Sequence, residues 1–454
     1  MLNQDHVASF YAERLPPRAP RAPLEGATTA DVAVVGGGLA GLTTAHCLAT
    51  GGISAVLVEA NRLGWGASGR NGGFVSPGYA ASIFELESRL GRAAARELYS
   101  LSREGVALVR ARMADSGIAG EIGGRGWLKV IRHRNTDALR RRALRMAKDY
   151  GAEQAFWPGD RVRDVLRTGR YFAGLHDPEP FHIDPLAYAE ALGRAAAEAG
   201  ARLYEGTRAT ALGRRGCWQI ETRNGDGGRG RIEAEHVVLA TGADGHGLWA
   251  AIDRAILPVA TYVVTTNPLG SRLDDAIRFG GCIADTRRAG DYYRIVGKGA
   301  DRRLLWGGRI TTRRGAPPDL VARLARDIRG VYPQLFAAEE AAGGLVIDRA
   351  WSGLMGYTTA KMPIIGRIGE GLWACAAFGG HGLNTTAIGG LLVADAIRCG
   401  DERWKAFRPF HPGLLDRLIG GPGPLGQAVT QLSYWGMQAR DRLDEVRSPP
   451  ARIS

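Results

Sequence analysis

The chain has 454 residues, 45% hydrophobic and 23% charged, with a formal net charge of +13. That length and apolar content supply two or three domains with real cores and exclude a disordered or fibrous chain. The positive balance raises nucleic acid as a partner, but arginines such as Arg132, Arg140, Arg170 and Arg214 are scattered rather than gathered in a stripe with aromatics; a solvated surface able to draw in an anionic substrate is the reading.

Residues 1–28 form a Pro- and Arg-rich arm (Pro16-Pro-Arg-Ala-Pro-Arg-Ala-Pro23) without a regular-structure signal. Asp31–Val35 reads as a buried strand, Gly36–Gly41 as a glycine turn, Leu42–Ala49 as a helix and Ala55–Glu59 as a second strand. This is one βαβ unit of about thirty residues. Charged helices follow over 93–112 and 136–149, then an amphipathic helix over 185–200 and strands at 201–205 and 237–240. Strand-like alternation runs from about 258 to 312, including 262–266, 292–296 and 304–306, before a helix over about 317–332. Residues 363–398 return to strand, glycine loop and helix, the last placed at 387–397. Five widely separated cysteines (Cys47, Cys217, Cys282, Cys375, Cys399) give neither a disulfide framework nor a metal cluster, so no metal site is expected. A polar start and no long uncharged apolar run point to a cytoplasmic protein without a membrane span.

Chemistry enters with Gly36-x-Gly38-x-x-Gly41. The first glycine allows the tight turn, the second lets backbone reach a pyrophosphate, and the third lets helix and strand pack closely. Leu39, Ala40 and Gly41 open a helix whose free N–H groups and positive dipole end suit phosphates. Glu59, with Ala60 behind it, closes the second strand where a carboxylate takes ribose hydroxyls. NAD and FAD both fit this unit. The run Arg62-Leu-Gly-Trp-Gly66-Ala67-Ser68-Gly-Arg-Asn71-Gly72-Gly73 favours FAD, since small residues there pass main chain along a pyrophosphate and a flat ring; a flexible surface loop is the bland alternative. Thr241-Gly242 follows another strand, and Ala209 belongs to the same candidate cofactor set. Gly379-Gly380-His381-Gly382-Leu383-Asn384-Thr385 is a second glycine loop feeding a helix N-terminus, suited to an anionic ring edge.

These residues, with His182-Ile-Asp-Pro185, Trp351-x-Gly353, Met362-Pro363 and Gly366-Arg367, resemble the D-amino acid oxidase-like family of FAD-dependent amine oxidoreductases, closest to gamma-glutamylputrescine oxidases. The resemblance runs from Tyr11 to about residue 443. It implies an α/β fold: a Rossmann-type FAD domain (29–95, 180–257, 345–420) and a discontinuous α+β substrate domain (96–179, 258–344) on a mixed or antiparallel sheet, with a helical tail over 421–454. It also implies hydride transfer from the carbon beside a neutral amine to flavin N5, then hydrolysis of the imine to an aldehyde. Oxygen or another acceptor would take the electrons; the oligomeric state stays open. Relatives that oxidise amino acids commonly grip the substrate carboxylate with an arginine shortly after Trp-x-Gly, where this chain has Met355. The flavin-linking cysteine of monomeric sarcosine oxidases falls opposite Gly353, so FAD is expected to be noncovalent. Tyr292, Tyr293, Arg309, Trp351, Met355 and Tyr357 are the pocket candidates, followed by Lys361, with Arg309 expected to hold a remote substrate carboxylate. No proton-abstracting residue is nominated. Two alternatives remain: a D- or N-alkyl amino acid oxidase or dehydrogenase on the same fold, and an FAD-carrying binding protein without turnover.

Overall fold

The computed structural model describes residues 2–115, 123–243, 245–287, 290–312, 317–336, 345–413, 421, 423–448 and 450; Met1 of the arm and the remainder of the tail lie outside the described residues. The apolar run at 31–35 becomes the centre of a sheet. Gly26–Val35 lies between parallel neighbours Ala55–Val58 and Arg229–Leu239. Arg202–Tyr204 extends the sheet beyond Ala55–Val58 and Leu372–Ala376 extends it beyond Arg229–Leu239, both parallel, while Ile364–Gly369 closes that edge antiparallel. A hairpin, Thr207–Arg215 and Cys217–Asn224, hangs from Arg229–Leu239. Val32, Val34 and Leu57 enter one core while Ala33, Val35, Val56 and Val58 enter another. Burial on both faces is why these strands are continuously apolar rather than alternating.

A second sheet runs in the order Ile347–Tyr357, Leu257–Thr266, Arg303–Thr311, Tyr292–Val296, Cys282–Asp285, Arg125–Ile131, Ala173–His182, Phe74–Val75, with Ala155–Pro158 paired to Ala173–His182. Only the pairing of Cys282–Asp285 with Arg125–Ile131 is parallel, so the sheet is mixed. Its two faces follow the two-residue period of a strand. Leu128, Val130, Tyr262, Val264, Tyr293, Leu304 and Trp306 pack in a core with Leu324 and Ile328 of the helix Leu320–Val331. Trp127, Lys129, Thr261, Tyr292 and Arg294 occupy the alternate positions, on the opposite face.

Two expectations are corrected. Ile347–Tyr357, placed in the cofactor stretch beginning at 345, hydrogen-bonds along Leu257–Thr266, and Phe74–Val75, placed in 29–95, pairs with Ala173–His182. Both strands belong to the second sheet, because strand partners are set by long-range register that local alternation does not encode. The arm is also ordered. Ser9 caps the helix Phe10–Arg14, Tyr11 is 1% exposed, and the first strand reaches back to Gly26. Arg18 bridges two buried carboxylates, Glu190 and Glu205, each at 2.6 Å.

Glu205 is the hub of that clamp, accepting also from the N–H of Arg21 and Leu63. Burial pushes its carboxyl up, but the Arg18 hydrogen bonds and the two N–H donors outweigh it, so the group stays below the usual carboxylate range. Its stabilisation is therefore present above the unfolded-state value and lost as pH falls. Arg18→Met removes the cation shared by two buried carboxylates, and a loss of about 3 kcal/mol is expected in urea unfolding at pH 7, shrinking as pH falls and the carboxyls take up protons. An unchanged midpoint would mean that the clamp does not hold the arm.

Candidate active site

At the first turn backbone lies against backbone. Gly36 has φ +112°, and a Cβ there would overlap the Ala240 carbonyl, while one on Gly41 would overlap the Gly36 carbonyl. A Cβ on Gly38 would sit 2.8 Å from Ser68 Oγ, which itself accepts from the Leu39 N–H at 3.0 Å. Gly38 provides no side-chain cap for the helix Leu39–Thr50. The first turn, with Ala40 and Gly41, thus keeps an anion-binding end. Glu59 Oε2 accepts from the Gly37 N–H at 2.7 Å and Oε1 from Asn61 at 2.9 Å. Burial pushes its carboxyl pKa up, against the two backbone donors and the nearby Arg208 charge. Thr207 N–H bonds to the Glu59 carbonyl, which brings the strand carrying Ala209 alongside; Ala60 receives the Asn3 N–H. Arg62 holds Asp5 at 2.7 Å and lies 3.9 Å from Glu205, and its buried Nη1 has no hydrogen-bond partner among the described residues.

The loop at 64–73 closes on this turn through Gly64 N–H to the Gly37 carbonyl, 2.8 Å. Gly66 precedes a 3₁₀ turn, Ala67–Gly69, and Asn71 staples it, donating to the carbonyls of Ala67 and Ser68 and accepting from Gly73 N–H. Gly72 and Gly73 have no room for a Cβ, against the Tyr292 ring and the Ile183 carbonyl respectively. Two arginines that sequence reasoning missed sit here. Arg294, 4% exposed, donates to the carbonyls of Gly72 and Ile183, to Tyr11 Oη and to His182 Nδ1. Arg70 lies 4.0 Å over Trp65 and donates to the Trp65 carbonyl, but its buried Nη2 has no partner and burial lowers its pKa to about 10.

Thr241 and Gly242 (φ +71°) follow Ala240, whose N–H joins the Val35 carbonyl. Opposite, Gly379 and Gly380 have φ +59° and +77° and lie under the second sheet's edge strand. A Cβ on Gly380 would approach Met355 Sδ to 2.7 Å and Tyr357 Oη to 3.2 Å. The following helix begins at Gly382 rather than Ala387, so Gly382, Leu383, Asn384 and Thr385 form its first turn, with Asn384 donating to the Gly78 and Ser102 carbonyls and Thr385 Oγ to the His381 carbonyl. His381 precedes it; burial lowers its pKa to about 4, and Nε2 lies 3.2 Å from the Pro77 carbonyl. The imidazole is therefore neutral at neutral pH and, from its partner, carries its proton on Nε2.

Of the pocket candidates, Tyr292 and Tyr357 keep contact with open space although surrounded by protein, and burial pushes both phenols up to about 12. Phe74 stands edge-on to Tyr292 and Trp127 at 5.7 and 5.9 Å, and the Lys129 ammonium lies 4.2 Å over Trp127. Tyr293 faces the other side of its strand, stacked on Trp306 at 4.3 Å and bonded to Tyr171 and Tyr332. It is core, because neighbouring residues on a strand cannot share a face. Arg309 is paired with both carboxylate oxygens of Asp327 at 2.7 Å, so the remote-carboxylate role expected of it is withdrawn. Trp351 supports the cofactor loop, its indole N–H donating to the Arg70 carbonyl, and Lys361 is exposed, 3.9 Å from Glu85. Lys129 was missed because it lies in an ordinary alternating strand. Among the described residues no carboxylate lies within ion-pair distance of it, and burial lowers its pKa to about 8.

The glycine cradle, the buried Glu59 and the orphan Arg70 donor fit a dinucleotide, and comparison with known proteins settles which. Residues 31–396 match the DAO family, described as FAD dependent oxidoreductase. The chain belongs to this family. It is 30% identical over 413 residues to the gamma-glutamylputrescine oxidoreductase of Escherichia coli, covering 90% of this chain and 93% of that one. It is 29% identical over 462 residues to a probable oxidoreductase, OrdL, of Haemophilus influenzae, with 98% and 100% covered. The glycine oxidase structure from Geobacillus kaustophilus superposes with TM-score 0.67 over 82% of this chain and 96% of that one at 24% identity, which shows a shared fold. The protein is thus an FAD-dependent oxidoreductase with the family's α/β architecture and mixed second sheet. Among the described residues no helix is long and apolar enough to cross a membrane and no side-chain cluster can hold a metal.

Gly41→Ala pushes a methyl into the Gly36 carbonyl and parts helix from strand. The purified variant is expected to fold yet lose most of its absorbance near 450 nm, roughly where oxidised flavin absorbs. Full flavin content would remove the turn from the binding site.

Proposed function

We propose that this enzyme oxidises the C–N bond of a small amine whose carboxylate is remote from the reacting carbon, as in gamma-glutamylputrescine, and releases an aldehyde. The observation that carries this reading is the Lys129 ammonium, which stands over Trp127 with no carboxylate at ion-pair distance among the described residues. Beside Gly380 lie only the uncharged Met355 Sδ and Tyr357 Oη. A substrate carboxylate would complete Lys129, and the amine end would lie against these uncharged groups. The resemblance to a gamma-glutamylputrescine oxidoreductase supports the same substrate class.

Bound FAD supplies a two-electron hydride acceptor; Gly36–Gly41, Glu59, Gly64–Gly73, Thr241, Gly242 and Gly379–Thr385 are the residues proposed to hold it. Tyr292, Phe74 and Trp127 exclude water from the reacting amine and orient it. Tyr292 and Tyr357 remain protonated donors at neutral pH, and His381 has its proton committed to Pro77. None of them acts as a base, in keeping with loss of hydride from a neutral amine. Water then converts the imine to the aldehyde. Oxygen or another acceptor closes the cycle, and a peroxide screen over gamma-glutamylated amines, plain diamines, N-methyl and D-amino acids, repeated with an artificial acceptor, tests the reading. Turnover confined to alpha-amino acids would replace it with the amino acid oxidase reading; no anaerobic bleaching by any amine would leave a flavin-binding protein without turnover.

Lys129→Met is expected to raise KM for an acid-tailed amine roughly tenfold or more relative to a plain diamine, since a hydrogen bond to a charged group contributes about 1.5–3 kcal/mol. Lys129 faces Arg142, which lowers its pKa, Asp177, which raises it, and His381, neutral above about 4. The ammonium is charged below its depressed value and lost above it. In the unmodified enzyme KM for the acid-tailed substrate should therefore climb above about pH 8, a rise absent for the diamine. Equal responses of both substrates would remove Lys129 from recognition.

The flavin is proposed to be noncovalent: at the position expected for a linking cysteine, Gly353 stands against Arg70 and Ala67. Acid precipitation should leave the yellow colour in the supernatant, and colour retained in the pellet would show a covalent link.

A further inference from the structure

The helix Pro424–Val446 lies on the body by one side only. Tyr434 and Asp441 are 5% and 6% exposed, Tyr434 Oη accepts from Ile310 N–H, and Glu445 pairs with Arg170 and Arg287. The outward side carries Val429, Leu432, Gly436, Ala439, Leu443 and Val446, all exposed, with the four large ones between 57% and 79%. Their spacings alternate between three and four residues, the seam of a paired coiled coil. No other long helix in the described chain leaves such a row of aliphatic side chains in solvent, since the exposed large hydrophobics concentrate here.

The row is also a palindrome. Val429 and Val446, Leu432 and Leu443, and Gly436 and Ala439 are each equidistant from the midpoint between Met437 and Gln438. A twofold interface requires that residue i meet j while j meets i, and this row meets that condition when the helix is laid antiparallel on its own copy. Valine then faces valine at the ends and leucine faces leucine inside them. The two smallest residues fall at the axis, where they let the helices approach closely.

Charge selects the same direction. The exposed flank carries Arg440, Arg442 and Arg447, whereas Asp441 is buried and Asp444 and Glu445 are half-buried toward the body. Parallel pairing would set Arg447 of one copy against Arg442 of the other. Antiparallel pairing matches each flank with the like flank of the copy, so Arg440 falls beside Ser433 and Arg442 beside Trp435, both uncharged. We infer that this protein is a twofold dimer in which the helix Pro424–Val446 packs antiparallel against the same helix of a second copy. The inference is independent of the substrate assignment.

The FAD-loaded protein is the material for the test. Light scattering on a sizing column is expected to give twice the chain mass, and Leu432→Arg/Leu443→Arg to give the single-chain mass with flavin content unchanged, since neither side chain packs within its own chain. Direction is read by cross-linking in a Cys399→Ser background, which removes the exposed native thiol. Val429→Cys/Val446→Cys should form a covalent dimer on oxidation, while Val429→Cys alone should not. The two thiols are about 25 Å apart along one helix, too far for an internal bond. A single-chain mass for the unmodified protein, a dimer indifferent to the two arginines, or cross-linking by Val429→Cys alone would each overturn the inference. Binding of the unmodified single chain to phosphatidylglycerol vesicles would instead assign the row to a lipid surface.

Discussion

Between the two sheets the Arg294 guanidinium is buried among acceptors that carry no charge: the carbonyls of Gly72 and Ile183, the Tyr11 hydroxyl and the His182 imidazole. Taking a guanidinium out of water costs several kcal/mol unless its donors are met, and here Nε and both terminal nitrogens are engaged. His182 is locked by the same bond. Burial, with the Arg294 charge beside it, lowers its pKa to about 3, and Nε2 turns to the Gly280 carbonyl. One side chain of the second sheet therefore fixes the N-terminal helix, the end of the cofactor loop and the entry to the helix Pro185–Glu198. The loop at 64–73 can be glycine-rich without being loose because Arg294 holds one end and Gly37 the other.

The same arrangement explains which parts of the molecule were legible from residues in order. The βαβ unit was, because its signals are local: an apolar strand, glycines where no Cβ fits, and an acid at the second strand's end. The glycine loops were legible for the same reason. The helix Gly382–Cys399 was placed several residues late because its first turn, Gly382–Thr385, carries the small and polar residues of a loop while its ordering comes from Asn384 bonding to Gly78 and Ser102. The arm was read as irregular because its prolines disfavour the interior of a helix or strand. Its order comes from partners such as Glu190 and Glu205, far along the chain.

The pocket shows the limit of composition more sharply. Tyr292 and Tyr293 are chemically alike and adjacent, yet one meets the cavity and the other stacks in a core, a division fixed by pleat and register. Arg309 loses its expected role on similar grounds. Arg309 looked like a free cation until the helix Leu320–Val331 presented Asp327 to it. Lys129 drew no reading from the sequence, because only its strand's place in the interior of the sheet, beside Ala284 and Leu175 in register, sets it apart. Whether a cation finds an anion within the fold is a property of tertiary structure, not of its neighbours in sequence.

Electrostatics in the cavity then point to a division of labour. The phenols of Tyr292 and Tyr357 are raised, the imidazole of His381 is lowered, and each is thereby kept neutral near neutral pH. A wall of neutral groups favours an uncharged amine at the reacting end, since an ammonium there would be desolvated without a counter-ion. Lys129, with its pKa lowered to about 8, is the exception, and it is still charged at neutral pH. Under the proposed function, charge position rather than size would select the substrate: the amine meets the neutral groups and a remote carboxylate meets Lys129.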